Sequence, residues 1–262
     1  MIPTPQPALD NKVEWVMVAA VRAHSPLPWV RFSISEALIQ AWILDSASHS
    51  WGVAMADKFP MRAHDGADRY CEAYRDSLIR AWASIDTSAV AHAATLVREC
   101  LLRDAIVYAC GNGGAAAIAN HLLCDFQKGV QTGTARKPRI VSLSAPLELM
   151  TAIANDISYD DVFAYQLRTM ARPGDLLFTI SASGNSENIV RAATWAKTNA
   201  MQTVALTGFS GGRSANLADV VIHVDSHNYG IVEDIFQSMM HVLAQYLRQS
   251  WMKPEDIAAA RF

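Results

Sequence analysis

The chain has 262 residues and a formal net charge of −3, from 22 Lys plus Arg against 25 Asp plus Glu. Its 51% hydrophobic and 18% charged content exclude an intrinsically disordered chain. The near-neutral balance leaves no electrostatic footprint for nucleic acid. The length fits one large domain, or an ordinary one of about 150–200 residues with an appendage. The four cysteines, Cys71, Cys100, Cys110 and Cys124, form no CxxC pair and read as buried free thiols. MIPTPQPALDNKVEWV has no basic stretch before an apolar run, so it does not read as a signal peptide. No apolar run is long enough to span a bilayer. The expected setting is cytoplasmic, with neither nucleic acid nor membrane as a partner.

Residues 1–60 read as an N-terminal extension of uncertain order. Short helices are expected at Val13–Val21 and Ala37–Leu44, separated by the breaker HSPLPW. From 61 the signals sharpen. Asp68–Ser84 and Thr87–Arg103 read as amphipathic helices; Leu78, Ile79 and Trp82 share a face of the first. Asp86 or Thr87 caps the second. Ala105–Cys110 is a strand running into Gly111-Asn112-Gly113-Gly114, and Ala115–Gln127 a helix. Arg139–Ser144 is a strand, and Leu147–Asn155 and Asp160–Met170 are helices. Strand Asp175–Ile180 precedes helix Ser186–Asn199. Strands Gln202–Thr207 and Asp219–Val224 follow, then a long helix Ile231–Trp251 and a tail at 253–262. Short apolar strands alternating with longer helices give an α/β fold: a doubly wound, five-stranded parallel sheet covered on both faces. Ligands of such sheets bind beyond the carboxyl ends of the strands.

The clearest motif there is Ser181-Ala182-Ser183-Gly184-Asn185-Ser186. A loop feeding a helix start offers unpaired N–H groups and the positive end of the dipole. Hydroxyls and a glycine complete a cradle for a phosphomonoester. No lysine follows in the Walker position. The same string also serves as an ordinary Ser/Asn turn with Ser186 as helix cap. GNGG at 111–114 is weak alone and gains weight as a companion turn at the same sheet edge.

His121 and Asp125 stand at i, i+4 and share a helix face. Glu233 and His241 stand at i, i+8, about 80° apart around the axis. Two imidazoles and two carboxylates suit a zinc site of N/O ligands. Spacing alone equally allows a surface histidine, a surface acid and helix N-terminal acids. Lys128 reads first as a solvated lysine, and His227 as a loop histidine.

The strings CGNGG at 110–114, NHLLCDFQKG at 120–129, NDISYDDVF at 155–163, PGDLLFTISASGNSENIVRA at 173–192, ALTGFSGG at 205–212 and VEDIFQSMMH at 232–241 resemble the sugar isomerase (SIS) domain, in its phosphoheptose isomerase branch. The resemblance covers roughly residues 62–250, within a domain expected over 61–252. It implies a flavodoxin-like three-layer sandwich and conversion of sedoheptulose 7-phosphate to a heptose 7-phosphate through an enediol. It also implies a homotetramer with sites between subunits. It points to zinc on His121, Asp125, Glu233 and His241, with Asp125 and His241 catalytic. The sugar phosphate falls to Asn112, Gly113, Gly114, Asp156, Ser181, Ser183, Asn185 and Ser186. Three departures stand out. Asp125 replaces a family glutamate, Glu233 a family glutamine, and Ala115 and Ala182 family hydroxyl residues. The alternatives from other classes are a non-catalytic relative that binds the replication initiator and a phosphosugar-binding regulator.

Overall fold

The computed structural model describes residues 58–262. The expected helices at 13–21 and 37–44 lie outside the described residues. Two helices open the body, α1 (Ala67–Ala83) and α2 (Thr87–Leu102). Asp86 caps α2 by accepting from the Ser88 N–H at 2.8 Å. Strands β1 (Ile106–Gly111), β2 (Arg139–Ser142), β3 (Leu176–Ser181), β4 (Gln202–Thr207) and β5 (Val220–His223) form one parallel sheet in the order β2-β1-β3-β4-β5. The intervening helices are α3 (Gly114–Cys124), α4 (Leu147–Asp156), α5 (Val162–Met170), α6 (Glu187–Thr198) and a short α7 (Gly212–Leu217). Helix α8 (Tyr229–Trp251) closes the body, and a single turn, α9 (Pro254–Ile257), lies in the tail.

Strand alternation sends successive side chains to opposite faces. Val107, Ala109, Leu176, Phe178 and Ile180 enter one core with residues of α1, α2, α3 and α8. Tyr108, Cys110 and Leu177 enter the other with residues of α4, α5 and α6. Central strand β3 is buried along its whole length, as a sheet covered on both sides requires. The strand order reverses direction between β1 and β3, which pair with Gly111 opposite Ile180. That switch point is where a doubly wound sheet opens a crevice.

Four expectations change. Ile79 and Trp82 are 60% and 43% exposed, and α1 instead buries Ser77 and Ala81. Periodicity reports an apolar stripe, not which body it faces. Cys71 and Cys124 are exposed free thiols, whereas Cys100 and Cys110 are buried. The helix expected over 115–127 stops at Cys124 and widens into a π-helical turn, Asp125–Val130. That turn sends Phe126 and Val130 into the core and leaves Lys128 exposed. Phe59, left by sequence in the extension, is buried beside Tyr70 and Tyr74, and its carbonyl accepts from Asn228.

Candidate active site

Two polar centres emerge. One lies at the carboxyl edge of the sheet, where β1 and β3 end in the turns Gly111–Gly114 and Ser181–Ser186. The Ser181 hydroxyl is buried and accepts from the Gly184 N–H at 3.2 Å; Ser183 accepts from the Asn185 N–H at 3.3 Å. Ser186 sits at the cap of α6 but makes no side-chain capping bond, so its hydroxyl stays available. The loop is held from below by backbone. Gly184 has φ +63°, and a Cβ there would run into the Gly211 carbonyl; a Cβ at Gly212 would meet the Ser183 carbonyl. Only glycine allows that close approach at positive φ.

Asn185 is occupied by Arg213, whose N–H donates to its Oδ1 at 3.1 Å and whose guanidinium donates to its carbonyl at 2.8 Å. Arg213 and Arg191 both bond Glu187 and pull its carboxyl below the usual range. The one acid in the first turn of α6 is thereby neutralised, which leaves the loop receptive to an anion.

Asn112 is also committed. It exchanges two side-chain hydrogen bonds with Asn188, at 2.9 and 3.0 Å, and accepts from the Tyr159 hydroxyl at 2.8 Å. Its amide therefore ties the β1 turn to α6 and to the 3₁₀ turn Tyr159–Asp161. Gly113 turns the chain at φ +55°. Asp156 lies exposed in the last turn of α4 and bonds only its neighbour Asn155 among the described residues, at 2.7 Å. Sequence reading did not single out Arg213, Asn188 or Tyr159. The partners of Asn112 and Asn185 lie on other elements, so spacing carried no signal.

The second centre lies at the far end of α3. His121 Nε2 is 3.1 Å from Asp125 Oδ1, His241 Nε2 is 3.5 Å from Asp125 Oδ2, and the two Nε2 atoms are 3.3 Å apart. Four donors at zinc–ligand distances in a tetrahedron stand about 3.3 Å from one another. The cluster of two imidazoles and a carboxylate thus fits a zinc-sized cation. Gln237, one helical turn before His241, places its Nε2 at 3.1 Å from the His241 ring. It is the fourth polar side chain there, and sequence reading missed it.

Glu233 does not join the cluster within the chain. Its carboxylate lies against Gly114 at the start of α3, so close that a Cβ on Gly114 would collide with it. Burial and the neighbouring Asp234 hold its carboxyl above the usual range. The angular argument for the i, i+8 pair stands, but eight residues also rise about 12 Å along a helix. Glu233 therefore belongs with the sheet edge and His241 with the far end.

The sequence model of the SIS domain matches residues 69–208. The chain belongs to the SIS domain family. A phosphoheptose isomerase of Shewanella sp. (strain ANA-3) is 36% identical over 170 residues, 64% of this chain and 85% of that protein. One from Colwellia psychrerythraea is 35% identical over 161 residues, 60% and 82%. Among solved structures, the phosphoheptose isomerase of Neisseria gonorrhoeae superposes with a TM-score of 0.65 at 30% identity, over 70% of this chain and all of that one. That of Francisella tularensis gives 0.66 at 29%, over 71% and all of it. Within the SIS family the chain falls in the phosphoheptose isomerase branch.

Proposed function

We propose that this protein is an aldose–ketose isomerase that converts sedoheptulose 7-phosphate to D-glycero-D-manno-heptose 7-phosphate. The observation that carries the reading is the convergence of His121, Asp125 and His241 on one point. A non-catalytic relative or a regulator has no need of an acid/base cluster, so the two alternatives are not favoured. The serine loop takes the phosphate through backbone N–H groups and the hydroxyls of Ser183 and Ser186. Ser181 shapes the loop from its buried position.

Asp125 Oδ removes the proton from the carbon beside the carbonyl and leaves an enediolate. His241 Nε2 returns a proton at the neighbouring carbon, and the hydroxyl proton passes from the oxygen that becomes the carbonyl to the one that becomes the hydroxyl. His121 orients the Asp125 carboxylate through their 3.1 Å contact. Zinc held by His121 and Asp125 would supply positive charge that stabilises the enediolate oxygens, with His241 as a further ligand only where it is not the proton donor. The shorter Asp125 is accommodated where the helix widens, since it opens the π turn.

Within one chain the two centres are far apart. Asp125 lies eleven residues beyond Gly114, about 16 Å along α3. A single sugar phosphate engages both only if a second copy brings its sheet edge to the first copy's cluster. Exposed Ile79 and Trp82 on α1 suit such a contact. A homo-oligomer, expected as a tetramer, then joins one copy's serine loop and Glu233 to another's His121, Asp125 and His241. Among the described residues no helix is long and apolar enough to cross a membrane; the cytoplasmic setting is part of the proposal. The test is turnover of sedoheptulose 7-phosphate with added zinc in wild type, Asp125→Ala and His241→Ala. Loss of about 10²-fold or more in both variants, with circular dichroism unchanged, is the expected result. Absence of turnover by wild type on any C5–C7 ketose phosphate sinks the proposal.

A further inference from the structure

A cavity of about 410 Å³ opens beside the His121–Asp125–His241 cluster, between the π turn and α8. Its wall carries three cations, Lys128, Arg248 and Arg261. Arg248 is only 8% exposed. Its Nε donates to the Thr132 carbonyl at 2.9 Å and its Nη1 to the Arg261 carbonyl at 2.6 Å. Its guanidinium also stacks on the Phe262 ring at 4.7 Å. Every partner of this buried cation is neutral. Among the described residues, none of the three forms an ion pair with a carboxylate. The single acidic side chain on the wall, Asp125, is turned to the two histidines.

A desolvated guanidinium without an anionic partner is costly and is rarely kept without one. The cavity volume suits a small ligand. Gln245 adds a neutral donor at the same wall. We propose that this cavity is an anion site for a phosphate group, separate from the serine loop and gripped by Lys128, Arg248 and Arg261. Guanidinium groups match phosphate oxygens in geometry as well as charge. The tail forms one side of the site, because the Arg261 carbonyl and the Phe262 ring both lock onto Arg248. The occupant is either free phosphate or the phosphate of a phosphorylated metabolite. The proposal does not depend on isomerase activity.

Calorimetric titration of the full chain with inorganic phosphate at low ionic strength tests it. Wild type is compared with the double variant Lys128→Ala/Arg261→Ala and with Ser183→Ala/Ser186→Ala. Both cations have exposed side chains, so the fold is expected to survive; melting temperature checks this. Two phosphates per chain are expected in wild type. The lysine–arginine variant loses one of them, weakened about tenfold or more, and the serine variant loses the other. The same titration with a hexose monophosphate separates the sources. Tighter binding at the site lost in the lysine–arginine variant identifies a phosphorylated metabolite, and equal binding identifies free phosphate. Wild-type binding by the lysine–arginine variant overturns the proposal, whereas a single phosphate that this variant loses and the serine variant keeps upholds it and removes the serine loop instead.

Discussion

The two ends of α3 are built on different principles. At its start the polar groups are mostly backbone, held by glycines that permit close packing of Gly184 on Gly211 and of Gly114 on Glu233. At its far end they are side chains, His121, Asp125, Gln237 and His241, on two neighbouring helices. Backbone donors bind an oxyanion without changing its chemistry. Imidazole and carboxylate move protons. The contrast teaches that a backbone cradle and a cluster of acid/base side chains stand at opposite ends of one helix, which is why the proposed site draws on two copies.

The sharpest way to break that contrast is to mix variants. Asp125→Ala keeps the loop and loses the base; Ser183→Ala/Ser186→Ala does the reverse. Refolded together in equal amounts, the two are expected to recover up to about a quarter of wild-type turnover, because one site in four then joins an intact loop to an intact cluster. A mixture as inactive as its components would mean that each site lies within one chain. Next in size is Gly184→Ala. The positive φ alone costs about 1–2 kcal/mol, and the contact with the Gly211 carbonyl adds to it. Denaturant unfolding is expected to show a loss of roughly 2 kcal/mol or more, with phosphate binding weakened and zinc content unchanged.

Tyr159→Phe removes one hydrogen bond to Asn112 and keeps the ring. An effect of about 0.5–1.5 kcal/mol is expected, read as a several-fold rise in KM with kcat preserved. A fall in kcat alone would move Tyr159 from positioning to chemistry.

The smallest effect concerns Glu233. Its carboxyl is raised on folding, by burial first and then by Asp234. Such a group contributes stability that is fully present below its unfolded pKa and lost as pH rises through its folded pKa. Glu233→Gln lacks this loss. Its melting temperature is expected to gain on wild type as pH rises from the acid range to neutrality. A difference that is constant with pH would remove Glu233 from the buried edge.

Much of this architecture is local and was therefore legible in the residues. The strand runs of β1 and β3, the capping Asp86, the glycine turns and the His121–Asp125 pair depend on spacings of a few residues, which helix and strand geometry convert directly into faces and ends. What failed was distance between elements. Sequence placed Glu233 by its angle on the helix, and the 12 Å rise of α8 carried it to the other end. Sequence likewise read Ile79 and Trp82 as a face of α1 with no means of saying that it points away from the chain's own core. By itself, the sequence determined the order of strands and helices and the glycine- and serine-rich turns at the sheet edge, and it named all three groups of the cluster, His121, Asp125 and His241. Tertiary packing alone decided that His241 meets that pair, that Gln237 stands beside it, and that Arg248 is buried on a cavity without a counter-charge. The contacts of His241 with His121 and of Arg248 with Thr132 join residues more than a hundred positions apart, which no local period encodes, whereas Gln237 is one helical turn from His241.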